Sequence, residues 1–297
     1  MAIMGRMFLF FLVNGLIVIT VSVLMHLFGV SPYLGRYGLN YQSLAIVCFL
    51  YGMGSSLISL LLSRAMVKWQ AGVQVIPPDT QDPALSQIVG VVHNLARKAN
   101  LASMPEVGIY DSPDPNAFAT GPTKSMALVA VSTGLLSRMN MAEIEGVLGH
   151  EITHISNGDM VTMSLLQGIV NSFVGFLATV IAYAVTQGRR DDDRGPGFMY
   201  YIVQMVLQVV FLALGSIVIC WFSRWREYRA DAGSARLAGK EKMIAALQEL
   251  QNSMELVTAN QRPTVQTMQI SSRSGFSLWA DHPPLEDRIR RLQEGNF

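Results

Sequence analysis

The stretch GHEITHISNGD, from Gly149 to Asp159, places two histidines four residues apart. On an α-helix, side chains at this spacing leave the same face one turn apart, so His150 and His154 can bind one metal ion. Imidazole nitrogen suits zinc, and a catalytic zinc site needs a third protein ligand and an open position for water. Glu151 stands beside the first histidine, where it can take the proton of that water. The motif therefore predicts a zinc-dependent hydrolase, although H-E-x-x-H alone also occurs in unrelated helices.

The overall composition indicates a membrane protein. Of the 297 residues, 51% are hydrophobic and only 14% are charged, which is unusual for a water-soluble enzyme of this length. The formal net charge is +1 and no basic run is interleaved with aromatic residues, so nucleic acid is not an expected partner. Both cysteines, Cys48 and Cys220, lie inside apolar segments and predict no disulfide framework.

Four apolar segments of roughly twenty residues are long enough to cross a bilayer core of about 30 Å as helices. They cover approximately residues 7–29, 41–62, 161–185 and 199–222. The two longer polar segments are each small for a domain, and together they reach a normal domain size. The simplest interpretation is one catalytic domain that a membrane hairpin divides. Its parts are a transmembrane hairpin at 1–69, a first catalytic part at 70–160, a second hairpin at 161–222 and a second catalytic part at 223–297.

The orientation of these spans is predicted from lysine and arginine residues near their ends. Basic residues follow the second and fourth spans, whereas the first hairpin loop contains only Arg36. This distribution predicts that both termini and the catalytic domain are cytoplasmic. The second hairpin loop, QGRRDDDRGPG, contains three arginines and argues for the opposite orientation on a strict count, although three aspartates lie among them.

Local patterns predict a small α+β domain around the motif. The segment DPALSQIVGVVHNLARKANL has apolar residues at helical spacing after a proline at the helix start. EVGIY and MALVAVS predict short strands, with the segment DSPDPNAFATGP as a loop between them. The motif helix is predicted to begin after Asn140, with Glu143 completing a capping box, and to end at Asn157 and Gly158.

A third metal ligand is expected downstream of the motif. Glu227 and Asp231 follow the fourth span and stand four residues apart, on one helical face. Glu227 is the candidate ligand, and Asp231 can hydrogen bond to the ring nitrogen of a ligand histidine that faces away from the metal. The alternative is that both acids only pair with nearby arginines on a juxtamembrane helix. Two further histidines, His26 and His93, are expected to be structural or interfacial.

Four motifs together resemble a known family. The motifs are HEITHISNGDM, SRWREYRADAGSA, NAFATG and HPPLEDRI. Together they closely resemble the HtpX family of bacterial heat-shock-inducible membrane zinc metalloproteases, which includes the prenyl-protein endopeptidases. The resemblance implies a mainly α membrane protein with four transmembrane helices and a cytoplasmic α+β zincin-like metalloprotease domain that contains a small β-sheet. It also implies self-cleavage as a common family trait and an overlap in function with other membrane proteases.

The resemblance also implies a role for each motif residue. His150, His154 and Glu227 would bind one catalytic Zn2+, and Glu151 would activate the zinc-bound water as catalytic base. Asp231 would support a ligand histidine. Two further polar residues, Asn116 and His282, would lie beside the zinc and bind the substrate backbone or the oxyanion. The role of Arg288 stays open at this point, between bracing the final helix and bracing the active site.

The expected activity is endopeptidase cleavage of misfolded or unassembled membrane proteins at the cytoplasmic face of the bacterial inner membrane. Substrates would bind as extended peptides along an edge strand, because a narrow cleft excludes compact proteins. The resemblance adds a role in envelope protein quality control and the stress response. The bilayer itself is an expected partner, since the motif helix directly precedes one span and Glu227 directly follows another.

Parts of the sequence are also compatible with three other functions. An intramembrane metalloprotease would carry the motif inside a span, whereas here the apolar run starts only at Val161. A membrane scaffold with a structural zinc would explain ligands from two distant segments, but it would give Glu151 no role. A transporter would need several ionisable residues inside its spans, and these spans contain few.

Overall fold

A computed structural model describes residues 34–35, 38–186, 197–259 and 282–295. The described chain is mainly helical, with a four-stranded sheet and a separate two-stranded pair formed by the first two strands. The helices are α1 Tyr41–Gln70, α2 Pro83–Lys98, α3 Thr133–Arg138, α4 Met141–Asn157, α5 Asp159–Thr186, α6 Phe198–Leu237, α7 Lys240–Ala259 and α8 Leu285–Glu294. The strands are β1 Leu34–Gly35, β2 Gly38–Leu39, β3 Gln74–Val75, β4 Glu106–Tyr110, β5 Ala117–Thr120 and β6 Leu128–Ser132.

Two compact units account for most contacts within the chain. The first unit falls within Met1–Ser59 and Met163–Ile219, and the second comprises Leu60–Thr162 and Cys220–Phe297. Both units are therefore discontinuous in sequence. All residues predicted to act at the metal site belong to the second unit.

Three described helices are long and apolar enough to cross a membrane, which makes the protein a multi-pass membrane protein. They are α1, α5 and α6, with mean hydropathies of 2.0, 1.9 and 2.5 over their most apolar stretches. The predicted spans at 41–62, 161–185 and 199–222 fall within these helices and are confirmed as long apolar helices. The remaining predicted span, at residues 7–29, lies outside the described residues.

Within the first unit, α1 and α5 pack through small residues. A Cβ added to Gly52 would lie 2.5 Å from the backbone nitrogen of Ser172, so the two backbones approach closely. The Ser164 hydroxyl donates to the Ser56 carbonyl at 2.9 Å, and the Ser56 hydroxyl donates to the Ser164 carbonyl in return. These reciprocal hydrogen bonds satisfy both hydroxyls where lipid offers no partner.

The second unit contains a four-stranded mixed sheet in the order β3-β4-β6-β5. Strand β6 is parallel to β4 and antiparallel to β5, and all five of its residues are buried. The predicted strands EVGIY and MALVAVS are confirmed, except that Met126 ends a 3-10 turn before β6 begins. The loop prediction is wrong for Ala117–Thr120, because those four residues pair with β6 as an edge strand. Their partners on β6 lie 8 residues (Thr120 with Leu128) to 14 residues (Ala117 with Val131) further along the chain, which a local pattern cannot reveal.

The predicted helix ends are confirmed at both helices that flank the sheet. Asp82 caps α2 by accepting from the backbone nitrogens of Ala84 and Leu85, directly before Pro83. At α4, Asn140 and Glu143 form the complete capping box. Helix α4 ends at Gly158, whose φ of 73° places it in the left-handed region that glycine adopts without strain.

Helix α4 packs against α6 and α7 at very short range, and this contact positions the site. A Cβ added to Gly146 would lie 2.5 Å from the Lys242 carbonyl oxygen of α7, and one added to Gly233 of α6 would lie 2.1 Å from the Thr153 side chain. The Ser234 hydroxyl donates to the Gly146 carbonyl at 2.7 Å. Larger side chains at these glycines would hold the helices apart and separate α6 from the metal-binding face of α4.

Replacing Gly146 with alanine is expected to destabilise the protein by about 1–3 kcal/mol, because the clash is with backbone that cannot rotate away. Gly90→Ala on α2 is the matched control, since no heavy atom lies within 4 Å of its added Cβ. Both changes gain the same helix propensity, so the control should be neutral or stabilising by up to about 1 kcal/mol. Chemical unfolding of the detergent-solubilised chain measures both. Equal effects of the two substitutions would show that the close approach is unimportant.

Candidate metal centre

The structure brings His150, His154 and Glu227 together as one buried group of potential metal ligands. The two Nε2 atoms lie 3.0 Å apart, and each lies 3.3 Å from a different carboxylate oxygen of Glu227. Zinc bonds of about 2.0–2.1 Å in tetrahedral geometry would place ligand atoms about 3.3–3.4 Å apart. The donor set and its spacing therefore fit a zinc ion with three protein ligands.

The outer nitrogens of both imidazoles are held by carboxylates. His150 Nδ1 lies 3.0 Å from Asp231 Oδ1, and His154 Nδ1 lies 2.6 Å from Asp159 Oδ2. A proton on each Nδ1 donates to its carboxylate, so each imidazole that loses its Nε2 proton presents a lone pair to the other ligands. Asp231 is thus placed as the sequence predicted. The motif stretch contained Asp159, but its position after the helix end gave no signal of this contact.

Arg288 joins the C-terminal helix to the centre. Its Nε and Nη2 donate to the two oxygens of Asp231, at 2.8 and 2.6 Å, and its Nη1 lies 3.7 Å from Glu227 Oε2. The side chain is buried, so this is a bidentate ion pair without solvent screening. The structure thereby resolves the choice left open for Arg288, which braces the active site. The alternative that Glu227 and Asp231 pair only with their neighbouring arginines is wrong, because both contact histidines of the centre.

Charge pairing shifts the pKa values of the buried groups. Burial alone would lower the pKa of His150, but hydrogen bonds with Asp231 and Glu227 outweigh it and raise that pKa to about 9. The pKa of His154 is raised in the same way, against burial, by Asp159 and Glu227. Burial would raise the pKa of Glu227, yet the three histidines around it hold that pKa below its usual range. In the metal-free protein, these shifts favour the ionised carboxylate of Glu227 and the protonated imidazoles of His150 and His154.

Zinc affinity is consequently expected to rise with pH. Below pH 9 the His150 imidazole carries a proton that a metal must displace, so each unit of pH below its pKa lowers the apparent affinity about tenfold for one released proton. Because about half of the His150 side chains are still protonated at pH 9, affinity at pH 7 should be about 50-fold lower than at pH 9. Competition with a chelator of known proton affinity, at pH 7, 8 and 9, measures this slope. A zinc affinity that does not change with pH would contradict the charge arrangement described above.

The three other predicted site residues occupy different surroundings. Glu151 lies on α4 and is half-buried, and in the described part of the chain its carboxylate accepts no hydrogen bond. His282 Nδ1 lies 2.9 Å from Glu227 Oε2, while most of its ring is exposed. Asn116 is exposed directly before β5 and hydrogen bonds to Ser132 through its backbone. No hydrogen bond between Asn116 and the three ligands occurs among the described residues.

Comparisons with known proteins agree with this centre. The sequence profile of peptidase family M48 matches residues 84–296, which include all of the ligands. The chain belongs to peptidase family M48. It is a metallopeptidase, so the interpretations as a scaffold with a structural metal and as a transporter are wrong. The resemblance to the HtpX family, recognised from four motifs, is confirmed by the relatives of this M48 chain.

Three of those M48 relatives match almost end to end. The chain is 44% identical over 295 residues to Protease HtpX homolog of Methylacidiphilum infernorum, which covers 97% of this chain and 98% of the relative. It is 46% identical to Protease HtpX homolog of Bacillus licheniformis, with the same coverage. It is also 46% identical over 297 residues to Protease HtpX of Thioalkalivibrio sulfidiphilus, covering 98% and 99% of the two chains.

The fold is shared with a solved structure of low sequence identity. The crystal structure of S. mikatae Ste24p matches 98% of this M48 chain with a TM-score of 0.65 and 19% identity. The match covers 65% of the Ste24p chain, which is therefore considerably longer. This similarity shows that the fold is Ste24-like.

Proposed function

We propose that the protein is a zinc-dependent endopeptidase that cleaves extended segments of misfolded or unassembled membrane proteins at the cytoplasmic face of the bacterial inner membrane. The observation that carries the proposal is the buried group of His150, His154 and Glu227, with Glu151 directly after the first ligand on helix α4. The ligand spacing favours zinc over metals that prefer six oxygen ligands. A role in envelope protein quality control and the stress response belongs to the same proposal.

The residues of the centre divide the chemistry of peptide hydrolysis between them. A zinc ion bound there would polarise the scissile carbonyl and make water nucleophilic at neutral pH. Glu151 takes the proton of the attacking water on its carboxylate and delivers it to the leaving amide nitrogen. In its imidazolium form, His282 donates from Nδ1 to Glu227 and from Nε2 to the oxyanion that develops on the substrate.

The substrate is expected to bind as a strand along β5. This strand is at the edge of the sheet, and it contacts α4, the helix that carries Glu151. An extended peptide can add to such an edge through main-chain hydrogen bonds, independent of its sequence. Asn116, directly before β5, would bind the backbone of that peptide. This mode favours unfolded segments, since a folded substrate cannot offer an unpaired strand.

The position of the centre in the sequence favours membrane-protein substrates. Helix α4 is followed after Gly158 by the apolar helix α5, and Glu227 lies on the same continuous helix as the apolar stretch 199–222. The centre itself belongs to the polar unit, which favours cleavage of loops and tails over cleavage inside spans. The basic residues after the second and fourth spans favour a cytoplasmic position for this unit.

Mapping of cleavage sites tests the proposal. A reporter with one transmembrane helix and an unstructured cytoplasmic tail is reconstituted in liposomes with the wild-type protein, and the products are identified by mass spectrometry. Cuts in the tail or the juxtamembrane segment are expected, and they should be absent with Glu151→Gln. Cuts inside the span would instead support an intramembrane protease. No cleavage of any unfolded segment by the zinc-loaded protein would refute the proposal.

A further inference from the structure

Asp159 occupies a position at the centre that the mechanism above does not use. Its Oδ2 lies 2.6 Å from His154 Nδ1. This distance is shorter than the 3.0 Å between Asp231 and His150. Both side chains are buried, with Asp159 5% and His154 8% exposed. A carboxylate is costly to bury unless its hydrogen bonds are satisfied, so the contact with His154 helps to compensate for the burial of Asp159.

The backbone explains how Asp159 reaches back to the motif helix. Helix α4 ends at Gly158 in the left-handed conformation, and Asp159 is the first residue of α5. Because the chain turns at Gly158, the side chain of Asp159 reaches the outer nitrogen of His154, although the two residues are only five positions apart. The partial positive charge at the start of α5 also favours an ionised carboxylate there.

The two outer carboxylates are not equivalent. Asp231 shares its charge with the buried guanidinium of Arg288, which donates to both of its oxygens. For Asp159, no basic side chain other than His154 forms an ion pair in the described ranges. Its carboxylate is therefore directed at one imidazole. A carboxylate in that position raises the basicity of the ligand nitrogen on the opposite side of the ring.

From this geometry we infer that Asp159 is a positioning residue for the metal centre. It fixes the His154 ring in the tautomer that presents Nε2 to the metal, and it strengthens that nitrogen as a ligand. The inference rests on the proposed zinc site and adds a residue to it. Because Asp159 begins α5, the orientation of a metal ligand is set by the helix that continues as a predicted span.

The test compares zinc dissociation constants of the full-length, detergent-solubilised protein by chelator competition. Asp159→Asn keeps the size and an acceptor oxygen but removes the charge, and Asp159→Ala removes both. We expect Kd to rise about 10-fold for asparagine and about 100-fold for alanine. Glu143→Gln is the matched control, because it weakens the N-terminal cap of the motif helix without touching an imidazole. Its zinc Kd should stay within about twofold of wild type, since no ligand contact changes.

A second readout separates positioning from a loss of folding. Cobalt is bound at saturating concentration, and its visible absorption reports the coordination geometry. A changed cobalt spectrum with Asp159→Asn and an unchanged one with Glu143→Gln are expected. If wild type binds zinc and Asp159→Ala binds it equally tightly, the positioning role is refuted while the proposed function stands. If wild type itself binds no zinc, the proposed function fails and the positioning role fails with it.

Discussion

Replacing Glu151 with glutamine is expected to lower kcat for peptide cleavage by about 10²- to 10⁴-fold while zinc stays bound. The substitution keeps the size of the side chain and removes only its ability to take a proton. The zinc ligands belong to other residues, and in the described residues Glu151 forms no ion pair that holds them in place. Metal content by elemental analysis and cleavage of an unfolded protein such as casein measure the two properties separately.

Glu145→Gln on the same helix is the control for that result. Its carboxylate pairs with Lys242 at 2.5 Å, away from the metal ligands, and glutamine can still accept from that lysine. Activity should therefore remain within about twofold of wild type, because no group of the reaction changes. If Glu151→Gln cleaved casein as fast as wild type, Glu151 would not be the base and another proton acceptor would be required.

Replacing Arg288 with methionine is expected to have the largest effect on stability. The guanidinium and the Asp231 carboxylate are both almost fully buried, so the substitution takes the bidentate partner away from a buried charge. Breaking one partner of such a pair costs about 3–5 kcal/mol. Unfolding by denaturant in the presence of a chelator measures this cost without the contribution of bound metal. The same change should weaken zinc binding, because Asp231 supports His150.

Two variants test the cause of that loss. Arg290→Met removes an exposed arginine of the same helix, whose pair with Asp287 is screened by solvent, and should cost less than about 1 kcal/mol. The double variant Arg288→Met with Asp231→Asn removes both charges and should be less destabilised than the sum of the two single changes. If the losses in stability of the two single variants simply add in the double variant, the interaction between Arg288 and Asp231 contributes nothing to stability.

Local chemistry in the sequence was sufficient to predict the metal helix and its ligands. The capping box of Asn140 and Glu143, the glycine at 158 and the spacing of His150 and His154 are all short-range patterns, and the structure has each of them. Glu227 was assigned from its spacing to Asp231 and from the family motifs. These residues lie on one face of a helix, so their relation needs no knowledge of the tertiary fold.

The features that the sequence did not reveal depend on contacts between distant segments or across a turn. Strand β5 forms because β6 supplies its hydrogen-bond partners, whereas its own sequence lies between proline-rich turns. Arg288 is separated from Asp231 by 57 residues, and nothing local distinguishes it from the exposed arginines that follow it. The contact of Asp159 with His154 could not be predicted from the sequence, because it depends on the turn of the chain at Gly158.

The central claim is that His150, His154 and Glu227 hold a zinc ion on which peptide cleavage depends. The measurement that tests it most directly is zinc content and casein cleavage of the purified wild type and Glu227→Ala, before and after chelation and with zinc added back. Wild type should hold about one zinc per chain, lose activity on chelation and recover it with zinc. Glu227→Ala should lose more affinity than the roughly 10- to 100-fold typical of outer partners. Cleavage that continues in metal-free protein, or in Glu227→Ala without bound zinc, would contradict the account.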